Sequence, residues 1–407
     1  MKKSQLLSIV LALCLLFSFV GCGSNETAHV CKHVCEICSL CQDETCTDPV
    51  CEKKCKGHKQ DYSFSLSTID GEVDQHTELQ KSYLADAYSS ISKYANGQNE
   101  RSIPEALSLS WTAQATDENS SPISYYTVKV SPVADFSENV WTYTCTDTTV
   151  SVYNLMVGYD YYWQVEATLE NGKTNTSPVG VFKTAASCPR MLFVEGVTNV
   201  RDMGGWQTAS GKTVKQGLLY RCGRLNTSSS STLKVEITQE GKKTMLDMLK
   251  IKTEIDLRMV SNNEVGCLTD TSPLGKDVQY AQCPMDYTAS NLLTGNKQKI
   301  ATIFAILSNE NNYPIIYHCN IGTDRTGIIS FLVDGLLGVS EADLYRDYLM
   351  SNFGNIGGSR NVSSIQSNYV NYIKTFSGDT LSQKIYNCLV ANDVPAEYLD
   401  AVIEILG

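Results

Sequence analysis

The tightest constraint in this chain is one short stretch, His318-Cys319-Asn320-Ile321-Gly322-Thr323-Asp324-Arg325-Thr326-Gly327. The apolar run Pro314-Ile315-Ile316-Tyr317 before it reads as a buried strand. The segment after it, with Ile328, Ile329, Leu332, Val333 and Leu336 on one face, reads as a helix. A short turn from a strand into a helix N-terminus forms a concave ring of backbone N–H groups suited to a phosphate dianion. Gly322 permits the unusual backbone angle or close approach that such a ring needs. A cysteine in this setting has a depressed pKa and carries thiolate at neutral pH. An arginine six positions on offers a planar fork that meets two phosphate oxygens at once.

This chemistry points to phosphate monoester hydrolysis in two steps. Cys319 is the expected nucleophile, forming a phosphocysteine. Arg325 and the backbone N–H groups of Asn320, Ile321, Gly322, Thr323, Asp324 and Arg325 are expected to hold the equatorial oxygens. The leaving oxygen needs a proton from a nearby carboxylic acid. Asp286, in Cys283-Pro284-Met285-Asp286-Tyr287, and Asp324, within the loop, are the two carboxylates available for that role. The chemistry itself requires no metal or other cofactor.

The loop matches the His-Cys-x5-Arg signature and resembles the protein tyrosine phosphatase superfamily. Its Asp-Arg-Thr-Gly ending is similar to the bacterial branch that includes the secreted tyrosine phosphatase B of mycobacteria. Asn199-Val200-Arg201-Asp202-Met203-Gly204-Gly205 resembles that branch's Phe-Arg-Asp-Leu-Gly-Gly segment. Leu219-Tyr220-Arg221, Ile255-Asp256-Leu257-Arg258 and Asp347-Tyr348-Leu349 follow in the same order. The resemblance covers roughly 190–407 and implies three roles. Cys319 and Arg325 are catalytic, Thr326 eases departure of the sulfur in the second step, and His318 holds the loop. It also implies that a separate acid sits where Asp286 stands, or that Asp324 serves within the loop. Many relatives carry Lys at the position of Thr323, which weakens an expectation of highly charged phosphoinositide substrates. The paired residues Arg201, Asp202, Asp256 and Arg258 read as structural.

The rest of the chain sets the context. At 407 residues there is room for two or three domains, and the net charge of -11 with no basic stripe argues against nucleic acid as a partner. Met1-Lys2-Lys3 followed by an apolar run from Leu6 to Val20 is a signal peptide pattern. Phe19-Val20-Gly21-Cys22 resembles a bacterial lipobox, with Phe19 where Leu is usual, which implies lipidation at Cys22. The expected location is therefore the extracytoplasmic face of a bacterial membrane, held by an N-terminal lipid anchor.

Residues 23–60 contain a cluster with almost no apolar residues: Cys31, Cys35, Cys38, Cys41, Cys46, Cys51 and Cys55. Cross-links or metal must hold such a piece. Structural zinc and disulfides both fit, and the spacing leaves them equally open. Residues 61–100 are polar and read as a linker or spacer, with a helix available around 78–94 and Leu79, Tyr83, Leu84 and Tyr88 on one face. In 101–187, alternating runs such as Tyr126-Thr127-Val128-Lys129-Val130 are separated by turn signals, which indicates a small antiparallel sandwich. It resembles a fibronectin type III domain, with Trp111 as the buried tryptophan, Tyr161 as the tyrosine corner and 182–184 in the last strand. Residues 188–407 alternate strands and helices and end in a helix with Leu399, Val402 and Ile403 inward. The expected fold is multidomain: an α/β layered cysteine-phosphatase domain preceded by an all-β fibronectin type III-like sandwich and a small Cys-rich segment.

The expected activity is that of an exported protein tyrosine phosphatase acting on a phosphorylated protein or small phosphomonoester. Two alternatives stay open: a phosphoinositide or inositol phosphate phosphatase, and a non-catalytic surface binding protein with a phosphatase fold. Cys222, Cys267, Cys283 and Cys388 have no arginine at matching spacing and read as buried apolar residues.

Overall fold

The computed structural model describes residues 60–227, 236–260, 264 and 267–407. The lipidation candidate Cys22 and the cluster Cys31 to Cys55 lie outside the described residues.

The first part is a two-sheet β sandwich. Its strands are β1 (Tyr62–Leu66), β2 (Glu72–Val73), β3 (Leu107–Ala115), β4 (Ile123–Ser131) and β5 (Trp141–Cys145), followed by β6 (Thr149–Val152), β7 (Asp160–Leu169), β8 (Thr174–Thr176) and β9 (Gly180–Thr184). One sheet runs β1-β3-β6 and the other β2-β9-β7-β4-β5, with β8 alongside β7. The two-residue alternation of β7 buries Tyr161, Trp163, Val165, Ala167 and Leu169 on one face. Most of these meet Leu109 and Trp111 of the facing sheet in one core. Each large apolar side chain buried there contributes about 1.5–3 kcal/mol. The Trp163 indole dictates a glycine across from it: a Cβ on Gly180 would lie 2.3 Å from the indole nitrogen.

The second part is a five-stranded sheet flanked by helices. Its strands are β10 (Arg201–Asp202), β11 (Leu219–Cys222), β12 (Thr253–Asp256), β13 (Gln279–Gln282) and β14 (Ile315–His318), in the order β10-β11-β14-β12-β13. All pairs but β10–β11 are parallel. Every residue of β11, β12 and β14 is buried, as expected for parallel strands covered on both faces. The helices are α1 (Glu78–Ala85), α2 (Gln239–Lys243), α3 (Lys297–Leu307), α4 (Asp324–Leu337) and α5 (Glu341–Met350). They continue with α6 (Val362–Ile365), α7 (Asn371–Ile373), α8 (Leu381–Ala391) and α9 (Ala396–Leu406). Since β14 is the central strand, the turn from β14 into α4 lies at the C-terminal edge of the sheet, where ligands of open α/β sheets bind.

Four expectations need correction. Residues 61–100 are not a linker: β1 pairs with β3, β2 pairs with β9, and Tyr83 and Ile91 are buried in the core of the α/β part. The sandwich therefore begins near residue 62 rather than 101. The helix expected at 78–94 is two pieces, α1 and a 3-10 turn at Tyr88–Lys93, separated at Asp86-Ala87. Helix α4 is not one-faced. It is buried nearly all round, because α5, α8 and α9 pack about it. Two of its polar positions, Ser330 and Asp334, are buried with the rest. The Ser330 hydroxyl lies 2.6 Å from the Tyr317 hydroxyl, and burial, then the nearby Asp347 charge, hold the Asp334 carboxyl well above the usual range. Finally, Ile403 faces out at 37% exposure, and Leu406 joins Leu399 and Val402 in the core instead.

One carboxylate ties these elements together. Asp347 of α5 accepts from Arg201 Nε of β10 at 2.9 Å and from Arg221 Nη1 of β11 at 2.5 Å, with all three residues buried. Burial pushes the Asp347 carboxyl up, but the two guanidinium groups outweigh it and hold the group below its ordinary value. The variant Asp347→Asn leaves two buried cations without their anion. It should cost about 3–5 kcal/mol, read as a lower urea midpoint in equilibrium unfolding. An unchanged midpoint would refute this account of the hub.

Candidate active site

The turn after β14 is shaped from behind. Gly322 has φ +68°, and a Cβ there would lie 2.4 Å from the Cys222 carbonyl oxygen, so only glycine fits. The loop carbonyls are tethered on the outside. Gly322 O accepts from Arg221 Nη2 at 2.8 Å and from Asn199 Nδ2 at 3.0 Å, and Ile321 O accepts from Asn199 Nδ2 at 3.3 Å. The backbone N–H groups of Asn320, Ile321, Gly322 and Thr323 donate to no acceptor among the described residues. Orphaned donors of this kind, next to a helix N-terminus, form an anion cradle.

Cys319 sits at the base of the cradle, 1% exposed. Burial raises its thiol, but the Arg325 charge and then the adjacent Thr326 hydroxyl and backbone N–H outweigh it, and the thiol lies below its ordinary value. The Thr326 hydroxyl is buried and has no hydrogen-bond partner among the described residues. His318 backs the loop from the other side. Its Nδ1 lies 3.2 Å from the Cys319 carbonyl oxygen and its Nε2 lies 2.9 Å from Glu254 Oε1. Both partners are acceptors, an arrangement that favours the doubly protonated ring. Burial opposes that charge, but Asp256 and Glu254 prevail and raise the His318 pKa.

Arg325 is held from its far side. Nη1 donates to Glu264 Oε2 at 2.8 Å and to Leu257 O at 3.1 Å, and Nη2 donates to Glu264 Oε1 at 2.5 Å. The Tyr287 ring lies 5.2 Å from the guanidinium carbon, within cation–π range. Thr323 is fully buried at the N-cap of α4, so this position presents no charge at the mouth.

The two acid candidates are placed differently. Asp324 is the first residue of α4, and both its oxygens are taken by Arg360, Nε to Oδ1 and Nη2 to Oδ2, each at 3.0 Å. The Tyr348 hydroxyl adds a hydrogen bond of 3.2 Å to Oδ1. Asp286 lies on the loop after β13, next to Met285, whose carbonyl oxygen accepts from Arg325 Nη1 at 3.4 Å. Hydrogen bonds from Thr288, side chain and backbone, and then the Arg325 charge hold the Asp286 carboxyl below its ordinary value. Both Thr288 bonds reach Oδ1.

Asp256 and Arg258 form a buried ion pair at 2.6 Å, as the sequence suggested, and Asp202 pairs with Arg190 at 2.6 Å. Glu254, Asp256 and His318 place possible metal-ligand atoms within 4.8 Å of one another. Those atoms are already engaged: Glu254 by His318 and Ser272, and Asp256 by Arg258 and the Tyr280 hydroxyl. Cys222, Cys267, Cys283 and Cys388 are free and buried.

Sequence reasoning missed Glu264, Glu254, Arg360 and Arg224. Glu264 lies six residues beyond Arg258 and Arg360 lies on a glycine-rich turn after α5, and neither has a motif of its own. Arg224 follows Leu219-Tyr220-Arg221 by three residues, and its Nη1 donates to Asn320 Oδ1 at 2.7 Å.

Comparison with known proteins bears on the same region. A protein of Cupriavidus necator named as a tyrosine-protein phosphatase is 24% identical over 187 residues, 40% of this chain. The chain spans 63% of that relative's length. Among solved structures, the core catalytic domain of the S. cerevisiae PP-IP phosphatase SIW14 is 19% identical, covering 42% of this chain and 88% of that one, with a TM-score of 0.27. P. aeruginosa TpbA is 15% identical over 42% of this chain and 88% of its own, with a TM-score of 0.28. Likeness at these scores adds nothing to the assignment. The profile of the tyrosine phosphatase family matches residues 192–406, from the start of the α/β part through α9. That is more than half of the 407 residues, and the chain belongs to the tyrosine phosphatase family.

Proposed function

We propose that the chain is an exported protein tyrosine phosphatase that hydrolyses phosphotyrosine through a phosphocysteine intermediate. The observation that carries this reading is the cradle: four unpaired backbone N–H groups around a buried, acidified thiol, with Arg325 braced beside it. Cys319 Sγ attacks phosphorus as the bond to the leaving oxygen breaks, and an acid gives that oxygen its proton. Water then attacks the phosphocysteine, and the sulfur leaves as a thiolate facing the Thr326 hydroxyl. No step calls on a metal. Within the family, the Asp-Arg-Thr-Gly ending supports the branch similar to the mycobacterial secreted tyrosine phosphatase B.

Asp286 is the proposed acid, and Asp324 is the alternative. Asp286 has one oxygen outside the Thr288 bonds, whereas Arg360 occupies both oxygens of Asp324. His318 positions the loop through the Cys319 carbonyl. Lipidation at Cys22 would hold the enzyme on the extracytoplasmic face, and zinc or disulfides would order Cys31 to Cys55. No described helix is long and apolar enough to cross a membrane. The sandwich is proposed to be fibronectin type III-like. Support comes from buried Trp111 and from the Tyr161 hydroxyl, which accepts from the Met156 N–H at 2.8 Å.

Three measurements test the reading. Hydrolysis of p-nitrophenyl phosphate should persist in a chelator, stop with vanadate and vanish in Cys319→Ser. Full activity of that variant would overturn the phosphocysteine mechanism, and inactivity of the wild type would favour a non-catalytic binding role. Alkylation of Cys319 by iodoacetamide should have its midpoint below the ordinary thiol value. Removing a lowering charge or donor must move it up, so Arg325→Met and Thr326→Val should each raise it, and a midpoint that stays put would contradict the assigned causes. For the acid, Asp286→Asn should cost about 10²–10⁴-fold in kcat on phosphotyrosine and much less on p-nitrophenyl phosphate, whose leaving group needs little protonation. The same pattern in Asp324→Asn, with Asp286→Asn near wild type, would reassign the role.

A further inference from the structure

Six arginines are buried among the described residues. Five have a carboxylate partner: Arg190 with Asp202, Arg201 and Arg221 with Asp347, Arg258 with Asp256, and Arg325 with Glu264. Arg224 has none. It is 8% exposed, its Nε has no hydrogen-bond partner, and its side chain is held by one bond, Nη1 to Asn320 Oδ1 at 2.7 Å. A guanidinium taken out of water without an anion costs several kcal/mol, so such groups are normally paired. Burial accordingly lowers the Arg224 pKa.

Its position explains what could pair with it. Arg224 follows β11, whose last residue, Cys222, lies opposite His318 in parallel register, so the chain after Cys222 runs beside Cys319 and Asn320. The Arg224 backbone N–H donates to Asn320 O at 3.2 Å, which fixes it against the loop. Asn320 thus serves two neighbours: its backbone N–H lines the cradle and its side chain holds Arg224. After burial, the charges acting on Arg224 are, in falling order, those of Cys267, Arg258, Glu264 and Cys319, none of them in an ion pair with it. The cation missing at Thr323 is therefore present at the loop from another element.

We propose that Arg224 forms a second anion position beside the phosphate loop, and that the preferred substrate is a phosphotyrosine peptide with a second phosphate on a neighbouring residue. A planar fork with an unpaired Nε suits a phosphate dianion better than a single carboxylate oxygen. This inference rests on the phosphatase reading above and names the substrate class for the same site.

The test uses the full chain and peptides that differ only next to phosphotyrosine, bearing alanine, aspartate or phosphoserine. Wild type should favour the phosphoserine peptide over the alanine peptide by about tenfold or more in kcat/KM, the size of a hydrogen bond to a charged group, with the gain in KM. Arg224→Met should bring that ratio close to one, and Arg224→Lys, which keeps the charge without the fork, should recover part of it. Calorimetric binding to Cys319→Ser, with and without Arg224→Met, should reproduce the ratio without turnover. Equal loss on all three peptides, carried in kcat, would make Arg224 a positioning residue and overturn the proposal. So would a wild-type ratio near one, or a gain confined to a free inositol bisphosphate. Absence of all hydrolysis, p-nitrophenyl phosphate included, would instead defeat the phosphatase reading itself.

Discussion

The pairing of Asp347 with two arginines is the constraint on which the rest of the α/β part depends. It joins β10, β11 and α5 in one buried contact, and Arg221 carries that contact on to the Gly322 carbonyl. Arg201 also donates to the Asn199 side chain, whose amide holds the carbonyls of Ile321 and Gly322. The loop therefore takes its shape from a carboxylate on a different helix, acting through Arg221 of the neighbouring strand. Leaving either arginine without Asp347 would expose the full desolvation cost of a buried cation. The loop would lose its outer tether at the same time.

Tethering the carbonyls outward turns a peptide turn into an anion receptor. Backbone groups are paired almost everywhere in a folded protein, so four adjacent unpaired donors represent stored binding capacity. The same economy applies to the sulfur. Its burial is unfavourable to a thiolate, and Arg325 with Thr326 reverses the balance. Glu264 then keeps Arg325 in place without covering the cradle's own donors.

The loop was legible because its chemistry is contiguous: nucleophile, glycine, arginine and threonine fall within a single turn. The tyrosine phosphatase family followed from that turn and its flanking segments. The braces were not legible, because each depends on register between distant segments. Asp347 is 146 residues from Arg201, and Glu264 is 61 from Arg325. Residues 61–100 misled because their outward faces are polar and only a few anchors, such as Tyr83 and Ile91, enter the core. Helix α4 misled in the opposite sense. Ser330 and Asp334 interrupt its apolar pattern, but one is hydrogen-bonded inside and burial holds the carboxyl of the other well above the usual range.

The path of residues 61–115 has a mechanical meaning. The chain starts in the sandwich at β1 and β2, crosses to the α/β part at α1, and returns to the sandwich at β3. Side chains fasten the crossing: Gln75 Nε2 donates to Val152 O at 2.8 Å, His76 Nε2 lies 2.8 Å from Pro189 O, and Arg190 Nε donates to Leu155 O at 2.9 Å. Two domains joined at a single point can swivel, whereas two between which the chain crosses three times behave as one lever. A pull at residue 61 is thus shared between both cores, and the mouth of the phosphate loop keeps a set angle to the sandwich whatever holds the other end.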